Sequence, residues 1–418
     1  MSAGPSSPAD PSALRIELQR PDGSWLTVGY LKRAGEVNWF ESIPDYWESD
    51  RRVVLGQVFE ERGRTWRPSV RVALPTWFSH LLPEGRLRQA VAEAAEVNER
   101  REFFLLSRVG HDDLPGATRV VSADTDEGAA PTLESDEVVD EDDVAVLKFS
   151  LAGVQLKFSV VRDGERGLTV PARGQAGEWI AKLQDQRPGF EGVPEAEFAG
   201  LELARRAGIN VPNTELVDVS SIAGLPDWST KDTKTALLVE RFDRAPNRRR
   251  VHVEELAQVL DISTGNYLFK YRRVNFETVA SVTSALCGPD AVGEVVDRIV
   301  LNVLLGNGDA HAKNWAYRYP DGRTAELAPA YDIVPTVLYI PGDDLGLKLG
   351  GSRSFDDVTV SSFDRLGVRA GWTPADIRQR VRDAVDRIID AWPALNDHLP
   401  EPAYRTLTRR RDHLPLLH

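Results

Sequence analysis

The stretch "GNGDAHAKNWAY", residues 306–317, places Asp309, His311, Lys313 and Asn314 directly behind the apolar run "RIVLNVLLG". Beyond it, "APAYDIVPT" adds Asp332. Phosphoryl transfer of the protein-kinase kind needs this set of groups. One aspartate accepts the proton of the acceptor hydroxyl, and an asparagine a few residues on and a second aspartate hold magnesium. "DAHAKN" fits the catalytic-loop pattern D-x-x-x-x-N. Oxygen-only ligands suit Mg²⁺, which keeps its waters and bridges phosphates. Taken alone, the stretch also fits a turn capped by Asp309, or a hydrolase metal site built from Asp309, His311 and Asp332.

Such a loop works only if other elements clamp the phosphates. Lys182 in "EWIAKLQ" ends an alternating, strand-like run, from which a lysine can reach a phosphate. Glu197 follows in the first turn expected of the helix "EAEFAGLELARRAG", placed to pair with that lysine. "SLAGVQLK", residues 150–157, holds Gly153 among small residues, where backbone N–H groups could approach phosphates. "LLVERFDR" ends a strand where two lobes would meet. There Glu240 and Phe242 could offer backbone groups to an adenine edge, and Asp243 could bond a ribose hydroxyl. Positive charge is written almost entirely as arginine, yet Lys157, Lys182 and Lys313 fall in these segments and Lys148 two residues before the loop's Ser150, where a compact ammonium suits better than a guanidinium fork.

At 418 residues the chain can bury two or three cores. Its single cysteine, Cys287, cannot form an internal disulfide, and no Cys/His spacing suggests zinc. A formal net charge of -13 disfavours unaided nucleic-acid binding, although DNA could be reached through a basic partner. No apolar stretch approaches a membrane span and the start lacks a signal pattern, so a cytoplasmic protein with no membrane attachment is expected.

Residues 1–12 read as a disordered Pro/Ser/Ala tail, and 13–120 as a small β-rich and helical subdomain in which "RRVVLGQVFEERGRTWRPSVRVAL" supplies further strands. Residues 121–143 form an acidic linker or loop. A β-rich lobe with one helix follows over 144–243, then a mainly helical lobe over 244–418. That order predicts an α+β chain with the two lobes of a protein-kinase-like fold and a nucleotide between them.

At this point the chain resembles the HipA-type serine/threonine kinases, toxins of type II toxin-antitoxin modules. "LLPEGRLR" and "DLPGA" resemble the family's N-terminal subdomain, "SLAGVQLKFSV" its phosphate-binding loop, "ERFDR" its hinge, and "GDAHAKN" with "PAYDI" its catalytic and metal segments. The resemblance implies that Asp309 is the catalytic base and that Asn314 and Asp332 hold Mg²⁺. It places ATP among Ala152, Gly153, Val154, Gln155, Leu156, Lys157, Lys182, Glu240, Arg241, Phe242, His311, Ala312, Lys313, Asn314 and Tyr331, with Asp332 beside them. Ser150 matches the serine that the family autophosphorylates to silence the kinase. The implied target is an aminoacyl-tRNA synthetase, such as the glutamate enzyme, and the implied partner is a small HipB-like helix-turn-helix antitoxin that carries the complex to DNA. The loop departs from the family in having Leu156 where an acidic or polar residue is common. A small-molecule kinase of the aminoglycoside or choline type, which also uses G-D-x-x-x-x-N, and a kinase-shaped binding protein without turnover remain as rivals.

Overall fold

The computed structural model describes residues 12–111, 113–123, 156–163, 167–171, 176–184, 188–230 and 233–418. Ser150, Ala152, Gly153, Val154, Gln155, the N-terminal tail before Ser12 and most of the acidic segment lie outside the described residues.

The architecture is α+β. Strands β1 (Ala13–Gln19), β2 (Trp25–Ala34), β3 (Val37–Ser42), β4 (Ser69–Arg71) and β5 (Thr118–Ser122) form one sheet in the order β4-β3-β2-β1-β5. The hairpin between β1 and β2 turns at "PDG", where Gly23 takes a left-handed φ of 91° and Asp22 Oδ1 accepts from Ser24 N at 2.8 Å. Leu14, Ile16 and Leu18 alternate inward along β1, as a strand with one buried face requires. The stretch expected to supply further strands contains instead the helix Gln57–Arg62 and only the three-residue β4. Six residues are too few to display a helical period, so local alternation misleads there.

A second sheet has the order β10-β7-β6-β8-β11-β9. Its strands are β6 (Lys157–Asp163), β7 (Gly167–Thr169), β8 (Trp179–Leu183), β9 (Thr214–Asp218), β10 (Ile222–Ala223) and β11 (Thr235–Glu240). The apolar run of β11 is continuous because both its faces are covered. Ala236 and Leu238 join the core shared with the first sheet, while Leu237 and Val239 join the core of the helical lobe. Helix α1 (Val193–Arg206) packs on the latter side. It begins two residues before the expected start, with Pro194 in its first turn, so Glu197 lies in the second turn and not the first.

The helical lobe is built on α2 (Phe276–Cys287), α3 (Val292–Leu305) and α4 (Pro374–Ala391). Every residue of α3 except Glu294 is buried. A further departure from the expected helical run is the strand β12 (His252–Glu255), which pairs with Ala316–Tyr319 in a small antiparallel sheet. Among the described residues no helix is long and apolar enough to cross a membrane.

The first subdomain is pinned to the other two lobes by buried charge. Arg241 and Arg244 both reach Asp113, at 2.7 and 2.6 Å, and Glu254 accepts from Gln57 N, Trp77 Nε1 and the Tyr319 hydroxyl.

Candidate active site

The antiparallel register of β6 and β8 places Lys157 directly opposite Lys182. Two ammoniums side by side on one sheet face repel, so carboxylates must stand between them. Glu197 of α1 meets Lys182 Nζ at 2.5 Å. Asp332 bonds Lys182 through Oδ1 and lies 3.4 Å from Lys157 Nζ through Oδ2. Asp332 holds a left-handed φ of 54°, a backbone strain that the two lysines help to maintain. Burial opposes every charge in this group. Lys157 and Lys182 nevertheless hold the Asp332 carboxyl well below the usual range, and Asp332 and Glu197 hold the Lys182 ammonium above its usual one. Burial pushes the Glu197 carboxyl up.

The second half of the site hangs from the end of α3. Gly306 closes the helix with φ 78°, and a Cβ there would come within 2.5 Å of Val337. Asn307 then locks the loop. Its Nδ2 donates to Asn302 Oδ1 and to Asp332 O, and its Oδ1 accepts from Asp309 N at 3.0 Å. Asn314 Nδ2 donates back to Asp309 O at 2.7 Å, which leaves its amide oxygen for another ligand. His311 is buried and caps the short turn Ala312–Asn314 by accepting from Lys313 N. Burial brings its imidazole down to about 4, so it is neutral at physiological pH.

Lys313 is held by two carboxylates that sequence spacing did not suggest. Glu84 Oε1, from the first subdomain, lies at 2.5 Å and Glu255 Oε2 at 3.8 Å. Burial pushes the Glu255 carboxyl up to about 7, whereas Lys313 and Lys270 outweigh burial at Glu84 and bring it to about 2. Asp309 likewise has an unforeseen partner in the hydroxyl of Tyr271. Glu84 lies inside "LLPEGR", a segment notable in the sequence, but its contact with Lys313 spans 229 residues.

These groups line one cavity of about 730 Å³ between the lobes, with Val239, Val253, Phe242 and Tyr331 on its apolar side. Phe242 and Tyr331 lie 5.6 Å apart, and the Tyr331 hydroxyl donates to Lys313 O at 2.7 Å. Glu240 N and Arg241 N donate to Asn213 O and Glu178 O, so neither N–H serves an adenine edge.

Several expected contacts are not made by side chains. The Arg241 guanidinium points to Asp113 and Asp243. The Asp243 carboxylate lines the cavity and takes four hydrogen bonds from Arg241, Arg244 and Gly116 N, three of them on Oδ2 and one on Oδ1. Leu156 is buried in the core with Phe158, and Ala312 is buried in the helical lobe, so neither side chain faces the cavity.

A pH dependence follows. Glu255 gains its proton as pH falls through about 7 and then no longer competes with an anion for Lys313. Nucleotide should bind Glu255→Gln roughly threefold more tightly than wild type at pH 8 and equally at pH 6. Titration with a fluorescent nucleotide at both pH values checks this, and a pH-independent ratio contradicts it.

Residues 149–392 match the HipA-like C-terminal domain and residues 25–121 the HipA N-terminal domain. The chain is 38% identical over 335 residues to the protein Y4dM of Sinorhizobium fredii, which bears a kinase name, covering 79% of this chain and 80% of that protein. It is 26% identical over 360 residues to the serine/threonine-protein kinase toxin HipA of Shewanella oneidensis, covering 76% of this chain and 78% of the other. Among solved structures, HipA of Shewanella oneidensis in complex with HipB and its operator DNA shares the fold, with a TM-score of 0.68 and 20% identity over 96% of both chains. The architecture is therefore that of a two-lobe, kinase-like protein preceded by its own N-terminal subdomain. The chain belongs to the HipA family of kinases.

Proposed function

We propose that the chain is an ATP- and Mg²⁺-dependent serine/threonine protein kinase that arrests growth as the toxin of a toxin-antitoxin pair. The observation that carries this reading is the convergence of Lys182, Glu197, Asp309, Asn314 and Asp332 on one cleft between the lobes. Asp309 accepts the proton of the acceptor hydroxyl as that oxygen attacks the γ-phosphorus, and ADP leaves. Lys182 and Lys157 neutralise the phosphates, and Phe242 with Tyr331 walls the adenine side. The donor set fits magnesium: Asn314 keeps its amide oxygen and Asp332 stays ionised. When bound, the ion would draw charge from the transferring phosphate. Among the described residues no group of three or more His, Cys, Asp or Glu side chains could hold a metal ion.

The target is an aminoacyl-tRNA synthetase, the glutamate enzyme being the family's pattern. A HipB-like antitoxin neutralises the kinase and carries it to operator DNA, and Ser150 takes a silencing phosphate. The complex of the Shewanella oneidensis relative with HipB and DNA supports the partner.

Expression in a bacterial host tests the reading. The wild-type chain should arrest growth, Asp309→Ala should not, and co-expression of a helix-turn-helix neighbour should restore growth. Arrest that persists in Asp309→Ala would overturn toxicity by phosphorylation.

A further inference from the structure

A general base must hold the hydroxyl it deprotonates within hydrogen-bond reach. In this structure the hydroxyl on Asp309 belongs to the chain itself, because Tyr271 donates to Asp309 Oδ1. The contact is built from several sides. The Tyr271 ring meets His311 edge-on at 5.0 Å and 76°. Its backbone carbonyl accepts from Arg353, which is fixed in turn on Leu345 O and Gly346 O at 2.9 and 3.0 Å. Burial and the Asp309 carboxylate hold the Tyr271 phenol above its usual pKa, so it stays a donor.

The segment that carries it is lightly held by comparison. The short helix Phe269–Arg272 has no buried residue, and Tyr267 just before it is 72% exposed. The hydroxyl is thus fixed on the base by polar contacts, while the segment's apolar hold is the partly buried Phe269 against the helical core. With Tyr271 in place the Asp309 side chain is 50% exposed, so the phenol covers Oδ1 and leaves the rest of the carboxylate open to an incoming acceptor.

We propose that Tyr271 is a positioning residue that stands in for the acceptor: its hydroxyl occupies Asp309 Oδ1 until a protein substrate's hydroxyl displaces it, and so keeps water off that oxygen. This rests on the phosphotransfer reading above. Without the tyrosine, a water oxygen can bond to the γ-phosphorus while its proton passes to Asp309. The bond to ADP then breaks, with its electron pair leaving on the ADP oxygen, so ATP and water give ADP and phosphate.

The test uses the full chain with ATP and Mg²⁺. It compares phosphate release without acceptor and label transfer to lysate proteins in wild type, Tyr271→Phe and Arg353→Gln. Tyr271→Phe should raise the ratio of phosphate release to protein labelling at least about threefold. Arg353→Gln, which keeps the hydroxyl but loosens its anchor, should shift the ratio of hydrolysis to transfer in the same direction. A residue that only supports the fold would lower both activities together. An unchanged or falling ratio in both variants overturns the proposal, as does phosphate found on Tyr271 itself. A wild-type chain that neither hydrolyses nor transfers would overturn the phosphotransfer reading along with it.

Discussion

Lys182→Met should abolish nucleotide binding and cost about 3–5 kcal/mol of stability, because it takes the contacting cation from a buried carboxylate and leaves it only the more distant Lys157. Glu197 is 1% exposed, and Lys182 is its partner at 2.5 Å. Burial already raises the Glu197 carboxyl, and removing Lys182 raises it further. A carboxyl whose folded value lies above its unfolded value loses stability as pH rises through that window. The variant's deficit should therefore be larger at pH 8 than at pH 5, as chemical denaturation at the two values would show. Adding Glu197→Leu should recover much of the stability and none of the nucleotide binding, which separates the structural part of the ion pair from its part in the site. An equal deficit at both pH values would mean that Glu197 is not left carrying an uncompensated charge.

Asp309→Ala should have the opposite profile, with binding kept and turnover lost. Asp309 supports the loop through its main chain, since its N–H donates to Asn307 and its carbonyl accepts from Asn314. Those bonds survive the substitution, and the side chain is half exposed, so the fold should lose little. Removing a general base typically lowers the rate by about 10²–10⁴-fold. Single-turnover transfer should fall by that order, while the nucleotide dissociation constant changes by less than about threefold. A large loss of binding with intact turnover per bound nucleotide would reassign Asp309 to the phosphates.

Much of this arrangement is legible in the sequence because it is local. "DAHAKN" is one turn of chain behind an apolar helix, and Lys182 and Glu197 sit on consecutive elements. The alternation of β1 and the continuous apolar run of β11 also follow from which faces are covered. What local spacing does not encode is pairing at long range. Glu84 reaches Lys313 across 229 residues and Asp113 reaches Arg241 across 128, with no periodicity to announce either contact. "ERFDR" was expected to face the nucleotide with its aspartate. The ion network ties Arg241 and Asp243 to Asp113 and Gly116 of the first subdomain, while both residues also line the cavity. Tyr271 is not legible in the sequence for a related reason: it lies in a short helix with no buried residue, and only the fold brings it to Asp309. The strand His252–Glu255 was hidden because its partner, Ala316–Tyr319, comes after the catalytic loop.

The most direct measurement for the central claim is transfer of label from γ-labelled ATP, with Mg²⁺, by the purified wild-type and Asp309→Ala chains in a lysate. A protein kinase that works through Asp309 would place phosphate on a small set of lysate proteins with the wild-type chain and lose about 10²-fold or more of it with the variant. Equal labelling by the two, or label found only on a small metabolite, would contradict a protein kinase that works through Asp309.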